Sequence, residues 1–385
     1  MGMEKGKILY LDVRPWDPIH QRKLAGICRY AEQRGWKVKV VGSRASRPDR
    51  IEALIARCKP IGCIVECSIG NRDLAPRLFK DVPTVWLDVN PSLYGGRMPK
   101  IVSDNDATAR EAFRELSSNR PDFYAVVEHN VHYHWSRSRV KGFKELVRRK
   151  GRTCLSFFSP EKDDRRWKRN LVKWIAGLPR KCAVFAVNDV VSGLVRNACR
   201  EVGKKIPADL TLIGVDNEES ICESSAQRLS SIQIDFERAG YRAAMLVDDL
   251  IAGRGEKIKT FGPLMTVRRE STRGFGRREP RMLAAIDLIR KESCSGLRAS
   301  EVVKLFKGSR RLVDLRFRET FGHSILDEIQ NVRFEKVFFL LSQTETELGA
   351  IAGLCGFKSE ITLREQFRLR TGMSMSAWRK ANVMQ

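Results

Sequence analysis

Near its C-terminus this chain writes one helical pattern twice, 50 residues apart. Ser309-x7-Phe317-Arg318-x3-Gly322-x-Ser324 returns as Ser359-x7-Phe367-Arg368-x3-Gly372-x-Ser374. Five identities in a single register mark a repeated structural unit. Each leading Ser suits a helix N-cap, each Phe falls two turns in on one face, and each Gly suits a helix stop at positive φ. A short amphipathic helix and a tight turn precede both copies: Ser300 to Phe306 with Lys307-Gly308, then Glu347 to Cys355 with Gly356-Phe357. Helix, tight turn and capped second helix is the helix-turn-helix layout, whose second helix enters the DNA major groove. Two in tandem predict a chain that reads two successive major-groove segments on one DNA face. Arg310, Arg311 and Arg316 fall on or beside the first recognition helix, and Glu360, Arg364 and Arg368 on the second. With the capping Ser309 and Ser359 they are the candidate DNA contacts, some to bases and some to phosphates.

Charge agrees with a polyanionic partner but does not locate it. The 385 residues carry a net charge of +25, with 42% hydrophobic and 30% charged residues, an ordinary globular composition. Residues 272–385 hold 21 Lys/Arg and 13 Asp/Glu, a net +8, and the rest is net +17, so the two parts are about equally basic per residue. The tandem motif, not charge, points to the reading end. The start MGMEKGKILYLDV reads as a strand with no cleavable apolar region, and no run of 18 apolar residues predicts a membrane span, so a cytoplasmic protein is expected. The ten scattered cysteines suit a reducing compartment. Cys58, Cys63 and Cys67 lack the CxxC pairing of a zinc site and are expected to be buried thiols. His129, His132 and His134 share a loop with Glu128 and are expected to be loop histidines beside a polar cleft. No metal or cofactor is expected.

Residues 1–270 alternate apolar runs with amphipathic helices, the pattern of parallel sheets covered on both faces. The expected strands are Lys7–Val13, Lys37–Val41, Ile61–Cys67, Pro83–Asp88, Ile101–Ser103, Phe123–Val127, Thr153–Phe158, Cys182–Val187 and Leu210–Val215, with Tyr241–Ala252 the last helix. The length favours two similar lobes over one sheet. Residues 1–104 with 235–271 are expected to form one lobe and 105–234 the other. Residues 272–280, rich in Gly and charge and ending in Pro280, are the expected linker to a helical domain over 281–385.

The C-terminal segment resembles the AraC/XylS family of transcription activators over roughly residues 281–380. The residues that carry this are Ser309, Arg316, Phe317, Gly322 and Arg333, then Leu348, Ile351, Ala352, Gly356-Phe357, Ser359, Phe367, Gly372, Ser374 and Arg379. Met375 and Leu363 stand where that family usually has proline and phenylalanine. The N-terminal part resembles LacI/GalR-type sugar sensors, which are like periplasmic binding proteins. Its residues are Gly26-Ile27 with Tyr30, Ser103-Asp104-Asn105, Arg139 with Gly142-Phe143, Val187-Asn188-Asp189, Ile206-Pro207-x-Asp209-Leu210 and Gly214-Val215-Asp216. A sensor placed before its DNA reader is the order of the bacterial xylose operon regulators. Trp135-x3-Arg139, Gly214-Val215-Asp216-Asn217-Glu218-Glu219, Gly240-Tyr241-x-Ala243-Ala244 and Arg269-Glu270-Ser271-Thr272 resemble that family more closely.

The resemblance implies a two-lobed α/β sensor followed by an all-α domain with two helix-turn-helix units. It implies a sugar-responsive regulator, an activator working from direct-repeat sites as a homodimer with RNA polymerase as a further partner. A sugar needs carboxylates and amides for its hydroxyls and aromatic rings for its faces. By matched position the resemblance implies Arg139, Asn188, Asp189 and Asp216 as ligand contacts. Position at βα junctions adds Trp16, Asp17 and Trp135, because open α/β sheets bind ligands at strand C-terminal ends. A neutral pentose is the implied ligand. An enzyme with a helical appendage lacks a phosphate or nucleophile motif to stand on: no GxGxxG follows the first strand, and no GxxxxGK[ST] or GxSxG occurs. A DNA-binding regulator whose sensor serves only dimerisation stays open.

Overall fold

Two six-stranded sheets and a helical domain make up the computed structural model, which describes residues 6–382 apart from 43–46, 72, 93–97, 132, 160, 162, 255–257, 275–279, 322 and 344–345. The first lobe runs β1 (Lys7–Leu11), α1 (Pro18–Gln33), β2 (Lys37–Val41), α2 (Pro48–Cys58), β3 (Gly62–Glu66), β4 (Thr84–Leu87) and β5 (Lys100–Ser103). The second runs α3 (Asn105–Ser117), β6 (Phe123–Val127), α4 (His134–Arg149), β7 (Cys154–Phe157), α5 (Asp164–Gly177), β8 (Cys182–Ala186), α6 (Asp189–Glu201), β9 (Leu210–Val215), α7 (Glu219–Cys222) and β10 (Ser230–Ile234). The chain then returns through α8 (Phe236–Ile251) and β11 (Ile258–Phe261) before β12 (Pro263–Val267). Strand order is β2-β1-β3-β4-β5-β11 in one sheet and β7-β6-β8-β9-β10-β12 in the other. All pairings are parallel except β10 with β12.

This topology corrects the expected division in one place. Residues 235–271 do not all belong to the first lobe, because β12 pairs with β10 in the second sheet. Three strands escaped the sequence reading, β10 to β12. They are short, β10 begins on Ser and β12 on Pro, and β11 and β12 form sheet edges. The lobes are joined at three adjacent crossings: Ser103 to Asn105, Ile234 to Phe236 and Phe261 to Pro263. The crossings bond to each other, Asp104 N donating to Phe261 O (2.7 Å) and Asp235 N to Gly262 O (3.1 Å).

Glycine at two positions sets how tightly the first lobe's helices meet. A Cβ on Gly26 would lie 1.9 Å from Glu237 O, and one on Gly240 1.8 Å from Lys23 O, so α1 and α8 touch backbone to backbone. That contact draws the next residues of α1 inward, Lys23 among them. Cys58, Cys63 and Cys67 pack in the apolar cluster on the outer face of the first sheet, with Leu9, Leu11, Phe79 and Trp86.

The expected linker is shorter than its composition suggests. Ser271, Thr272 and Arg273 are buried against the second lobe, Ser271 Oγ donating to Leu212 O (2.6 Å); residues 275–279 lie outside the described residues. The helical domain follows as α9 (Pro280–Glu292), α10 (Ala299–Val303), α11 (Arg310–Phe321), α12 (Ile325–Gln343), α13 (Leu348–Leu354), α14 (Glu360–Thr371) and α15 (Met375–Asn382). It holds two apolar cores. Val313, Phe317, Ile325 and Ile329 belong to one, and Phe334, Val337, Leu341, Leu363, Phe367 and Met375 to the other. Thus α12 gives its first half to one unit and its second half to the next. The unusual Leu363 and Met375 are simply buried apolar residues of the second core. Gly322 lies outside the described residues; Gly372 ends α14 at φ 77°, as its place in the pattern requires.

Candidate functional site

The cleft between the lobes is walled by charged side chains at strand ends and on two helices. In the first lobe the buried Lys23 ammonium sits 3.0 Å from Glu66 Oε2 and 2.8 Å from Asp88 Oδ2. Burial works against its charge, but Asp88 and Glu66 outweigh that and raise its pKa. Asp88 would rise by burial, yet Lys23 and His134 hold it below its ordinary range. His20 Nδ1 lies 2.7 Å from Asp12 Oδ1, and its Nε2 3.2 Å from Ser68 Oγ. Burial lowers the His20 pKa, while Glu66 and the bond to Asp12 bring it to a net rise. Asp88 Oδ1 is buried without a hydrogen-bond partner among the described residues. It faces His134 Nε2 of the second lobe at 3.9 Å.

The second lobe brings Arg139, Trp135 and Asp216 together. Arg139 Nε donates to Asn105 Oδ1 (3.1 Å) and Nη1 to Val187 O (2.7 Å), which fixes its plane. Its guanidinium lies 5.1 Å over the Trp135 ring, and Trp135 stacks on Tyr133 at 5.3 Å and 11°. Asp216 follows β9 at φ 106°, a left-handed conformation that only surrounding structure can impose on a side-chain residue. Its Oδ1 is 3.9 Å from Arg139 Nη1, and burial pushes its pKa well up against the pull of Arg139. Arg22 of the first lobe clasps this turn, donating to Asp216 O (3.1 Å) and Asn217 O (3.4 Å).

Other residues expected here have local tasks. Asn188 caps α6 by accepting from Val191 N (3.0 Å). Asp189 accepts from Ser231 Oγ (2.7 Å) with one oxygen and from Glu218 N (2.8 Å) with the other; burial pushes its pKa up to about 6. Asp17 caps α1 through Ile19 N (3.0 Å), and Trp16 is 69% exposed, so neither joins the cluster. His129 Nδ1 accepts from Val131 N (3.0 Å), and burial, then Arg14, lowers its pKa to about 4. His132 lies outside the described residues. Sequence reasoning missed Asp12, His20, Lys23, Glu66 and Asp88, and read His134, which begins α4 and faces Asp88, as a loop histidine beside the cleft. The signal was available: Asp12, Glu66 and Asp88 sit at the ends of apolar strands as Asp216 does, and His20, Lys23, Ile27 and Tyr30 share one face of α1.

In the helical domain Ser309 Oγ accepts from Leu312 N (3.3 Å) and Ser359 Oγ from Thr362 N (3.2 Å), so both recognition helices α11 and α14 are capped as their repeat implies. Their inner faces are Val313 with Phe317 and Leu363 with Phe367. Their outer faces expose Arg310, Arg311 and Arg316, and Arg364 and Arg368. Glu360 is half-buried and pairs with Arg364 at 2.5 Å. Arg333 Nε and Nη2 donate to Ser293 O and Leu297 O (both 2.9 Å), and Arg379 Nη2 to Thr346 O (2.6 Å), so these two arginines hold turns rather than face solvent. Among the described residues no helix is long and apolar enough to cross a membrane.

The comparisons divide at the same place. Residues 104–272 match the family model of a periplasmic binding protein-like domain, and residues 302–381 that of a helix-turn-helix domain. The xylose operon regulatory protein of Escherichia coli strain K12 is 27% identical over 289 residues, 72% of this chain and 74% of that protein. Its namesake in Haemophilus influenzae is 26% identical over 270 residues, 68% of this chain and 69% of that one. Among solved structures, the xylose-binding transcription activator xylR matches over 100% of both chains at 21% identity and a TM-score of 0.57. A lac repressor dimer bound to operator matches over 70% of this chain and 95% of its own at 17% identity and a TM-score of 0.60. These two likenesses are likenesses of fold.

Proposed function

We propose that this chain, a periplasmic-binding-protein-like domain joined to a double helix-turn-helix domain in the order of the xylose operon regulators it resembles, is a sugar-responsive, sequence-specific regulator of transcription and not an enzyme. The observation that carries the sensor half is the cluster where the lobes meet. Asp88 Oδ1, without a hydrogen-bond partner among the described residues, lies across from His134, while the Asp216 carboxyl lies beside a fixed Arg139 that sits over Trp135 of a stacked Trp135–Tyr133 pair. Carboxylates for hydroxyls and rings for a sugar face are what an aldose requires. Lys23 is matched by Glu66 and Asp88, and Arg139 by Asp216, which favours a neutral ligand over a phosphorylated one. A pentose, as the names of the relatives suggest, is our reading.

Ligand held between the lobes favours closure by its differential affinity for the closed form. A bonded route leads outward from there. Asn217, next to Asp216, accepts from Arg269 Nη2 (2.9 Å). The flanking Arg268 O and Glu270 Oε1 both receive Arg290 of α9, the first helix of the reader. A homodimer on direct-repeat DNA, contact with RNA polymerase, a cytoplasmic location and activation as the sign of the response complete the reading. The test is a thermal-shift screen of neutral aldoses followed by calorimetry. One sugar should give a saturable shift, and Asp216→Ala should weaken it by ~2–3 kcal/mol, roughly 30- to 150-fold, by leaving buried partners unpaired. Wild-type affinity in that variant would mean the sugar sits elsewhere. No response to any aldose would leave a sensor that only dimerises.

A further inference from the structure

Between the two recognition helices runs a groove of about 850 Å³. Both helices line it, Arg310 at the start of α11, Thr362 and Gln366 in the first two turns of α14 and Lys358 just ahead of it, with Arg298 ahead of α10 and Arg333 of α12. Four of its lining residues are cationic and none is a carboxylate. The nearby carboxylates point to other partners: Glu301 accepts from Arg298 N (2.7 Å) and Glu360 pairs with Arg364. Arg333 is spent on Ser293 O and Leu297 O, so the exposed cations of the groove without a partner among the described residues are Arg298, Arg310 and Lys358.

Two recognition helices that enter successive major grooves by their N-terminal residues leave one stretch of duplex between them, and there a sugar–phosphate strand faces the protein. We propose that this groove binds that intervening strand, with Arg298 and Lys358 as phosphate contacts that serve the two readers jointly. The proposal rests on the DNA-binding reading above and adds a site to it. Phosphate contacts position a reader without carrying sequence. Here they would fix the spacing of the two units on DNA.

The test uses the full-length chain, a duplex selected from a random pool and a scrambled duplex, with anisotropy titrations at several salt concentrations. Arg298→Ala, Lys358→Ala and the double variant should weaken both duplexes by the same factor. The slope of log K against log salt should flatten by about 1 for each residue removed. Methylphosphonates placed between the two contacted segments should weaken the wild-type protein and leave the double variant unchanged. Wild-type slopes in both single variants overturn the proposal, as does a methylphosphonate loss that persists in the double variant. Arg311→Ala separates the two readings. If it loses only the selected duplex while the groove variants keep the wild-type slope, the DNA-binding reading stands and the groove falls; if the wild-type chain binds no duplex, both fall.

Discussion

The two recognition helices agree in their buried apolar positions and differ at most of their exposed ones, Arg318 and Arg368 being an exposed identity. At offset 50, Val313 answers to Leu363 and Phe317 to Phe367, all buried, and Ser309 to Ser359, both capping. On the outer face Arg310 answers to Glu360, Arg311 to Ile361, Leu315 to Glu365 and Arg316 to Gln366. Ile361 is 69% exposed, a large apolar side chain at the entry of a helix that we read as a DNA reader. Packing repeats because both units solve the same problem of seating a helix. The outer faces diverge, as they should if the two helices read different base sequences: apolar contact suits a thymine methyl and arginine suits guanine.

The sharpest way to break that comparison is through the cores. Phe317→Ala and Phe367→Ala should each cost about 3–5 kcal/mol. Because the cores are separate clusters, each variant should melt its own unit first. Amide exchange would show this, and simultaneous loss of both units would mean they fold as one. Next come the outer faces. Arg311→Ala and Arg364→Ala should each cost ~1–3 kcal/mol of affinity for a selected duplex at fixed salt. Glu360→Gln should change affinity with the opposite sign, since it releases Arg364 from its 2.5 Å pair. A competition titration that finds the arginine variants unchanged would remove these residues from the reading face. The caps should be alike: Ser309→Ala and Ser359→Ala each cost about 1 kcal/mol, read by denaturant unfolding, and a clear inequality would show that the repeat is not equivalent at its start.

A further effect, read as a pH dependence, concerns the middle of α12, where one unit passes to the other beside the sensor. Burial first, then Glu328, raises the Glu335 pKa to about 7, against the pull of Arg268. A carboxyl with a raised folded pKa keeps its proton in the fold after the unfolded chain has lost it. Stability therefore falls as pH rises from about 4.5 to 7 and stays lowered above that range. Glu335→Gln should melt higher than the parent at pH 8 and alike near pH 4.5; an equal shift at both pH values would refute the assignment.

Much of this was legible in the sequence because it rests on local chemistry. Ser before a helix, Gly after it and apolar strands between amphipathic helices have short-range causes, and the caps at Ser309 and Ser359 follow from them. The cleft was legible only in part. Asp216 could be placed by its strand end, but Lys23 reads as a surface charge until Gly26 and Gly240 bring α8 against α1 and bury it. Asp17 and Trp16 stood at the right strand end, yet α1 starts at Pro18 and takes the Asp17 carboxylate as its cap. Strand β12 looked like a continuation of the first lobe because nothing local marks Gly262 as a crossing.

On the proposed reading, closure of the lobes about that crossing would make the molecule a lever. The reader leaves the second lobe after β12, and α9 is pinned to Arg268 and Glu270 of that lobe, so the pivot is the bonded strip at residues 103–105, 234–236 and 261–263. A helix of about 20 residues spans about 30 Å. Over such an arm a rotation of about 10° displaces the tip by roughly 5 Å, more than the 3.4 Å step between bases along a strand. A swing too small to disturb either sheet is therefore enough to move a reading helix by a whole base pair, and transcription would be governed by alignment alone, with the grip of each reader on its own bases left unaltered.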